Sequence, residues 1–277
     1  MPKERPTSCA RLNNRILKLA NGNPNESEGI TLVMSYVAAI QMMPEAAVKG
    51  GAGLKLRFGD AETRYSTDLD SARKGGVSSF IEEYRACLRR GWQGFSGALR
   101  PLNPAKPKDV PPEYVMRPFE VQLSYEGSVW RTVDLELGHN ELGDADDPDW
   151  AISEEVLGYF TSLGFERPNP IPLMKLEYQI AQKLHAVSEP GSKRAHDLVD
   201  LQIIMGRADV DYGLLNELCV RLFRYRNKHS WPPTVRCEDA WDDLYTEAAN
   251  GLDVLADVHD AVDWVNKLIG SICDCTR

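Results

Sequence analysis

Two segments near the middle of the chain alternate apolar and polar residues with period two, "FEVQLSY" and "VWRTVDLEL", on either side of Glu126-Gly127. Alternation of this kind requires a β-sheet with one buried face, and Glu-Gly is a pair suited to the tight turn of a hairpin. In the second strand Val133, Leu135 and Leu137 face one way, and Asp134 and Glu136 face the other. After "PNPIP" the period changes from two to that of a helix. "LMKLEYQIAQKLHAV" carries Leu176, Ile180, Leu184 and Val187 at helical spacing, with Lys183 on a different face. "SKRAHDLVDLQIIMG", "YGLLNELCVRLFRYR", "CEDAWDDLYTEAANGL" and a last stretch from about His259 to Ile272 also read as helices. The expectation is an α+β chain of two parts, residues 1–168 and 169–277, with a soft boundary in Arg167–Pro172.

The first part mixes its elements. Residues near Ile30–Met42 read as helix, and "AAVKGG" as a short strand ending in glycine. "AGLKLRF" places Leu54 and Phe58 at i and i+4, predicting a short helix that begins right after the glycines. "VSSFIEEYRACLRRG" is a stronger helix, with Phe80, Tyr84 and Leu88 on one face and Gly91 as its stop. The proline-rich "NPAKPKDVPPE" connects to the hairpin. A length of 277 residues, 43% hydrophobic and 26% charged, suits two packed units, or one elaborated domain, with a real core. No apolar run is long enough for a membrane span, and "MPKERPTSCARLNNRILKLANG" reads as a short basic helix without the apolar centre of a signal peptide. The six cysteines are scattered, with no CxxC pair. A cytoplasmic protein is expected, without a membrane partner and favoured as a monomer.

Chemistry is suggested first by Asp68 and Asp70. At i and i+2 of a strand they share a face while Leu69 turns inward. Two convergent carboxylates repel unless a cation lies between them, and oxygen ligands suit Mg²⁺ or Mn²⁺. Gly50-Gly51 stands at a strand-to-helix junction, where backbone N–H groups can cradle phosphate and the missing Cβ atoms allow close approach. Asp134 and Glu136 could add a third acid across the sheet, or could simply face solvent. Further on, Arg194, Asp197 and Asp200 recur at i, i+3 and i+6 on one helix face near Lys183. They read either as an ion-pair network or as a site in which Lys183 touches a triphosphate. The five histidines lack ligand spacing, and neither GxSxG nor GxxxxGK[ST] occurs. A net charge of −9 disfavours indiscriminate nucleic-acid coating, yet Arg221, Arg224, Arg226, Lys228 and His229 form one basic cluster and Arg85, Arg89 and Arg90 another.

Taken together, "KGGAGLKLRF…RYSTDLD" and "KLHAVSEPGSKRAHDLVDL" resemble the AbiEii/AbiGii nucleotidyltransferase toxin family of the DNA polymerase beta-like superfamily. Lys49-Gly50-Gly51, Leu54, Arg64-Tyr65-Ser66, Asp68-Leu69-Asp70, Lys183-Leu184, Ala186, Arg194, Asp197-Leu198 and Asp200-Leu201 follow the family pattern in order. Ala52 departs from it, standing where Thr or Ser is usual, so only backbone would face the phosphate there. The loop "GDAETR" is a little longer than usual, and "SEPGSK" replaces a shorter basic connection.

The resemblance implies a polymerase-beta-like core, a mixed sheet with flanking helices, followed by an α-helical domain. It implies a toxin of a toxin–antitoxin or phage-defence system that moves a nucleotide from an NTP to an acceptor, such as the 3′ end of tRNA. Asp68 and Asp70 would bind Mg²⁺, Gly50 and Gly51 the triphosphate, and Arg64 and Ser66 would line the nucleotide. Lys183 and Asp197 would complete the site, and a cognate antitoxin would be the protein partner. The helix ending "RLFRYRNKH" becomes a candidate RNA contact, with Phe223 and Tyr225 for stacking. Nucleotidylation of a protein or small molecule, or a binding module without chemistry, are the alternatives.

Overall fold

The computed structural model describes residues 4–104 and 115–275. Of the proline-rich connection, Ala105–Glu113 lie outside the described residues. Contacts divide the chain into a first unit, Met1–Ala61 with Ser66–Met174, and a second, Glu62–Tyr65 with Lys175–Arg277.

The first unit contains α1 (Cys9–Leu19), α2 (Pro24–Gln41), β1 (Ala46–Lys49), α3 (Gly50–Phe58), β2 (Asp68–Arg73), α4 (Val77–Arg90), β3 (Phe95–Pro101), β4 (Arg117–Tyr125), β5 (Ser128–His139), β6 (Asp149–Ala151), α5 (Glu154–Leu163) and β7 (Ile171–Leu173). Its strands form one sheet in the order β3-β4-β5-β2-β1-β7-β6 among the described residues. The hairpin read from the alternation is β4 and β5, closed by Glu126 and Gly127 at φ 46° and 78°, the left-handed pair of a type I′ turn. Helix α2 begins with Pro24 behind Asn23, whose side chain accepts from the Asn25 and Glu26 N–H groups. It is buried from Leu32 to Ile40, so its apolar residues surround it rather than forming a stripe.

Three expectations needed correction or addition. Helix α3 starts at Gly50 rather than after the glycines, so the glycine pair is its first turn. Strand β3 escaped the sequence reading because "FSGALRP" has two glycine or proline interruptions and an irregular burial pattern. Strands β6 and β7 span only three residues each, too short to show a period. β7 nevertheless lies in the sheet, paired parallel to β1 at Val48–Leu173, and Met174 N–H donates to the Val48 carbonyl at 2.8 Å.

The second unit holds α6 (Leu176–Ser188), α7 (His196–Arg207), α8 (Tyr212–Arg226), α9 (Trp241–Ala249) and α10 (Val258–Asp274). Ile180, Leu184, Leu198, Leu201, Leu215, Trp241, Tyr245 and Val265 are fully buried in it. The Gln202 amide joins α7 to the loop before α10, donating to Tyr245 Oη (2.9 Å) and accepting from Leu255 N–H (2.9 Å). Among the described residues no helix is long and apolar enough to cross a membrane.

Candidate active site

Strand β2 lies between β1 and β5, and its register sets the chemistry of one sheet face. In the parallel pair with β5, Asp68 stands opposite Asp134, and Asp70 opposite Glu136. Leu69 and Leu135, opposite each other, turn to the other face and are 0% and 1% exposed. The sequence-predicted third acids are therefore the immediate neighbours of Asp68 and Asp70. On the far side of β5, Glu120 of β4 stands opposite Asp134 and extends the acidic row. Facing carboxylates raise each other's energy, so such a face is prepared for a cation.

One cation comes from the chain itself. Lys49 of β1 is opposite Asp70, and its Nζ lies 3.7 Å from the point where a Cβ on Gly138 would sit. The ammonium therefore lies over the Gly138 end of β5, on the acid-bearing face. Lys49 and Glu120 are the residues of this face that the sequence reading assigned no role. Position alone could have flagged Lys49, the first residue of the Lys-Gly-Gly motif. Glu120 needed the register.

Gly50 joins this face to the start of α3. Its φ is +66°, and a Cβ there would lie 2.3 Å from Asp70 Oδ2. The first backbone turn of the helix is thereby placed against the carboxylate, and the N-cap Lys49 makes no side-chain capping bond to it. The N–H groups of a first helical turn and the positive end of the helix dipole favour phosphate. Gly51 and Ala52 behind it are buried. The backbone leading into β2 is held by Tyr36, whose hydroxyl donates to the Ser66 carbonyl at 2.9 Å, and Thr67 Oγ1 donates to Asp68 Oδ1 at 3.2 Å.

The donor set fits a hard divalent ion. Among the described residues no three His, Cys, Asp or Glu side chains converge as a ready-made metal cage. Mg²⁺ does not need one: it is commonly held by one or two carboxylates, with water and substrate phosphates filling its octahedron. Asp68 and Asp70 can supply those carboxylates.

In the second unit, Lys183 is 5% exposed and donates to Asp197 Oδ1 (2.8 Å) and Asp200 Oδ2 (2.6 Å). Arg64 holds Asp200 through a fork, Nε to Oδ1 at 2.9 Å and Nη2 to Oδ2 at 3.0 Å. Arg194 Nε donates to Asp197 Oδ2 at 2.8 Å. Burial opposes charge on Lys183, but Asp197 and Asp200 outweigh it and hold the ammonium above its ordinary pKa. Burial likewise opposes both carboxylates, and Lys183, with Arg194 for Asp197 and Arg64 for Asp200, holds them below the usual range. His196 is pushed down to about 4, chiefly by burial. Lys183, Arg64 and Arg194 against Asp197 and Asp200 leave one net positive charge, and Arg194, 52% exposed, is its open end. The ion-pair network read from the helix face is thus present, with Arg64 added from 136 residues away.

The expectation that Phe223 is available for stacking is corrected. Phe223 is 2% exposed on the inner side of α8, against the rings of His185, His229 and Trp231, whereas Tyr225 is 41% exposed.

A mixed sheet carrying paired acids beside a glycine-started helix, followed by a helical unit, is the architecture of a nucleotidyltransferase. The family model for the nucleotidyl transferase AbiEii toxin of type IV toxin–antitoxin systems matches residues 34–266. The chain belongs to that family. Among solved structures it is similar to MenT4, a nucleotidyltransferase toxin from Mycobacterium tuberculosis H37Rv, at 16% identity and a TM-score of 0.53, over 96% of this chain and 99% of that one. It is also similar to JHP933 from Helicobacter pylori, at 16% identity and a TM-score of 0.41, over 87% and 88% of the two chains. No curated protein matches it.

Proposed function

We propose that this toxin transfers the nucleoside monophosphate of an NTP to an RNA acceptor, the 3′ end of tRNA, in a Mg²⁺-dependent reaction that blocks translation. The observation that carries this reading is the seating of Gly50 on Asp70, which sets the first turn of α3 beside a carboxylate. Asp68 and Asp70 hold the metal, and the N–H groups at Gly50 and Gly51 bind the triphosphate. A Mg²⁺ held by Asp68 and Asp70 would supply charge neutralisation at the phosphates. Lys49 offsets further negative charge. Asp134 or Glu136 accepts the proton of the acceptor hydroxyl as its oxygen bonds to the α-phosphorus and the bond to pyrophosphate breaks. Ser66 lines the nucleotide, and Arg64, Lys183 and Asp197 are the candidate residues of the second unit. A cognate antitoxin restrains the enzyme in the cytoplasm.

The test is incubation of the protein with each α-³²P-labelled NTP, tRNA and Mg²⁺. Label on tRNA, lost with Asp68→Ala, supports the reading. Label on a protein or small molecule instead, or no transfer from any NTP by folded protein, overturns it.

A further inference from the structure

We propose that the C-terminal end of α8 and the turn after it form a docking pocket for one nucleotide of the RNA, at a place of its own in the second unit. The base would lie against Trp231 and the phosphates would meet Arg224 and Lys228. This inference rests on the RNA-acceptor reading and adds where the acceptor is gripped.

Charge comes first. Between Leu218 and Cys237 the chain carries Arg221, Arg224, Arg226, Lys228 and Arg236 and not one acid, although the whole protein has a net charge of −9. A basic run isolated in an acidic chain directs a polyanion to one place.

Shape comes second. A cavity of about 380 Å³ opens here, with Val220, Phe223, Arg224, Lys228, His229 and Trp231 among its walls. That is within the range of small-ligand pockets, roughly 300–1,000 Å³. Phe223 is the floor, with ring centroids 4.9 Å from His229 and 5.2 Å from Trp231. The indole is fixed, since Trp231 Nε1 donates to Asn216 Oδ1 at 2.9 Å. His229 is fixed as well. Ser188 Oγ donates to the Leu184 carbonyl at 2.6 Å, so at its 2.7 Å contact with His229 Nε2 it accepts, and Nε2 carries the proton. Burial favours the neutral ring, which therefore presents an aromatic face rather than a charge.

The division of labour is what a nucleotide needs: rigid rings below, and exposed cations at the rim. Stacking on an aromatic face is the common way a protein grips an unpaired base, and Arg or Lys beside it take the phosphates. An acidic peptide would satisfy the cations but leave the ring-walled cavity unused. The basic residues beyond the rim, Arg221, Arg226 and Arg236, suit a longer strand rather than a free mononucleotide.

The test is binding of fluorescent tRNA to the full chain by anisotropy across a salt series, with melting temperatures taken for each variant. Arg224→Ala/Lys228→Ala alters only exposed side chains and should weaken binding at least tenfold and flatten the log–log salt slope by about 1.5. Trp231→Leu should weaken binding by roughly 5- to 100-fold, the scale of one stacked base, while Trp231→Phe retains most of it. Unchanged affinity and slope in the folded variants, with the wild type binding tRNA, overturn the pocket and leave the RNA reading standing. Failure of the wild type to bind or label any RNA overturns both. Equal competition by AMP assigns the pocket to free nucleotides, and loss of antitoxin binding with RNA binding intact assigns it to a protein; either overturns the inference.

Discussion

The Cα of Gly50 is packed against Asp70 so closely that a Cβ would lie 2.3 Å from Asp70 Oδ2. No rotamer adjustment of residue 50 can relieve this, because a Cβ position is set by the backbone. The +66° φ of Gly50 adds a second penalty for any residue with a side chain, about 1–2 kcal/mol. Gly50→Ala should therefore move the Asp70 carboxylate and reduce nucleotidyl transfer by at least 100-fold, with a lowered melting temperature. Gly51→Ala is the comparison at the next position of the cradle. Transfer assays and thermal melts on both variants check this. Wild-type rates in Gly50→Ala would separate the glycine from the reaction.

The acid row makes a prediction about metal. Asp68, Asp70, Asp134, Glu136 and Glu120 share a sheet face, and facing carboxylates cost on the order of 0.2–1 kcal/mol per pair. Added Mg²⁺ should raise the melting temperature of the wild type, since a ligand of the native state stabilises by mass action. Chelation should reverse the gain. Asp134→Asn should raise the metal-free melting temperature by relieving repulsion, and Asp68→Asn or Asp70→Asn should abolish the Mg²⁺ response. Differential scanning fluorimetry with and without chelator measures all of these.

How much was visible beforehand depended on whether a feature was local. The β4–β5 hairpin was legible because period two and a Glu-Gly turn lie within 19 residues of sequence, and the chain folds them together directly. Asp68 and Asp70 were legible as a pair for the same reason. The register that seats Asp134 and Glu136 beside them was not, because a parallel pairing joins segments with no turn to align them. The Arg64–Asp200 fork was hidden for a similar reason, since no period links residues 136 positions apart. Phe223 was misjudged because the basic residues around it suggested an outer face, whereas the rings it meets come from α6 and from the turn after α8.

Lys183 holds two buried carboxylates, and this has to be separated from any contact it makes with substrate. Removing one partner from a buried ionic cluster costs about 3–5 kcal/mol, because the charges left behind are uncompensated. Lys183→Met should cost somewhat less, about 2–3 kcal/mol, since Arg194 and Arg64 still neutralise Asp197 and Asp200. The double variant Lys183→Met/Asp197→Asn should be less destabilised than the sum of its parts, which a double-mutant cycle in urea would measure. A Lys183→Met protein that unfolds at the wild-type midpoint yet transfers no nucleotide would place Lys183 on the substrate. Loss of both together would assign its effect to the network.

His196 sets the pH window in which this network weakens. Its pKa falls from 6.5 in the unfolded chain to about 4 in the fold, chiefly by burial, with Arg64 and Arg194 adding and Asp197 opposing. Between those values the unfolded state binds the extra proton, so stability is complete above pH 6.5 and is lost as pH falls toward 4. With the side chain 27% exposed, the loss should be on the order of 2 kcal/mol. Asp197 and Asp200, held below the carboxylate range, add a further loss only below pH 3.8. Urea unfolding from pH 7.5 to 4 should therefore show a decline in the wild type that His196→Gln largely flattens. Curves of equal slope in the two proteins would remove His196 from the acid sensitivity and leave it to the exposed carboxylates.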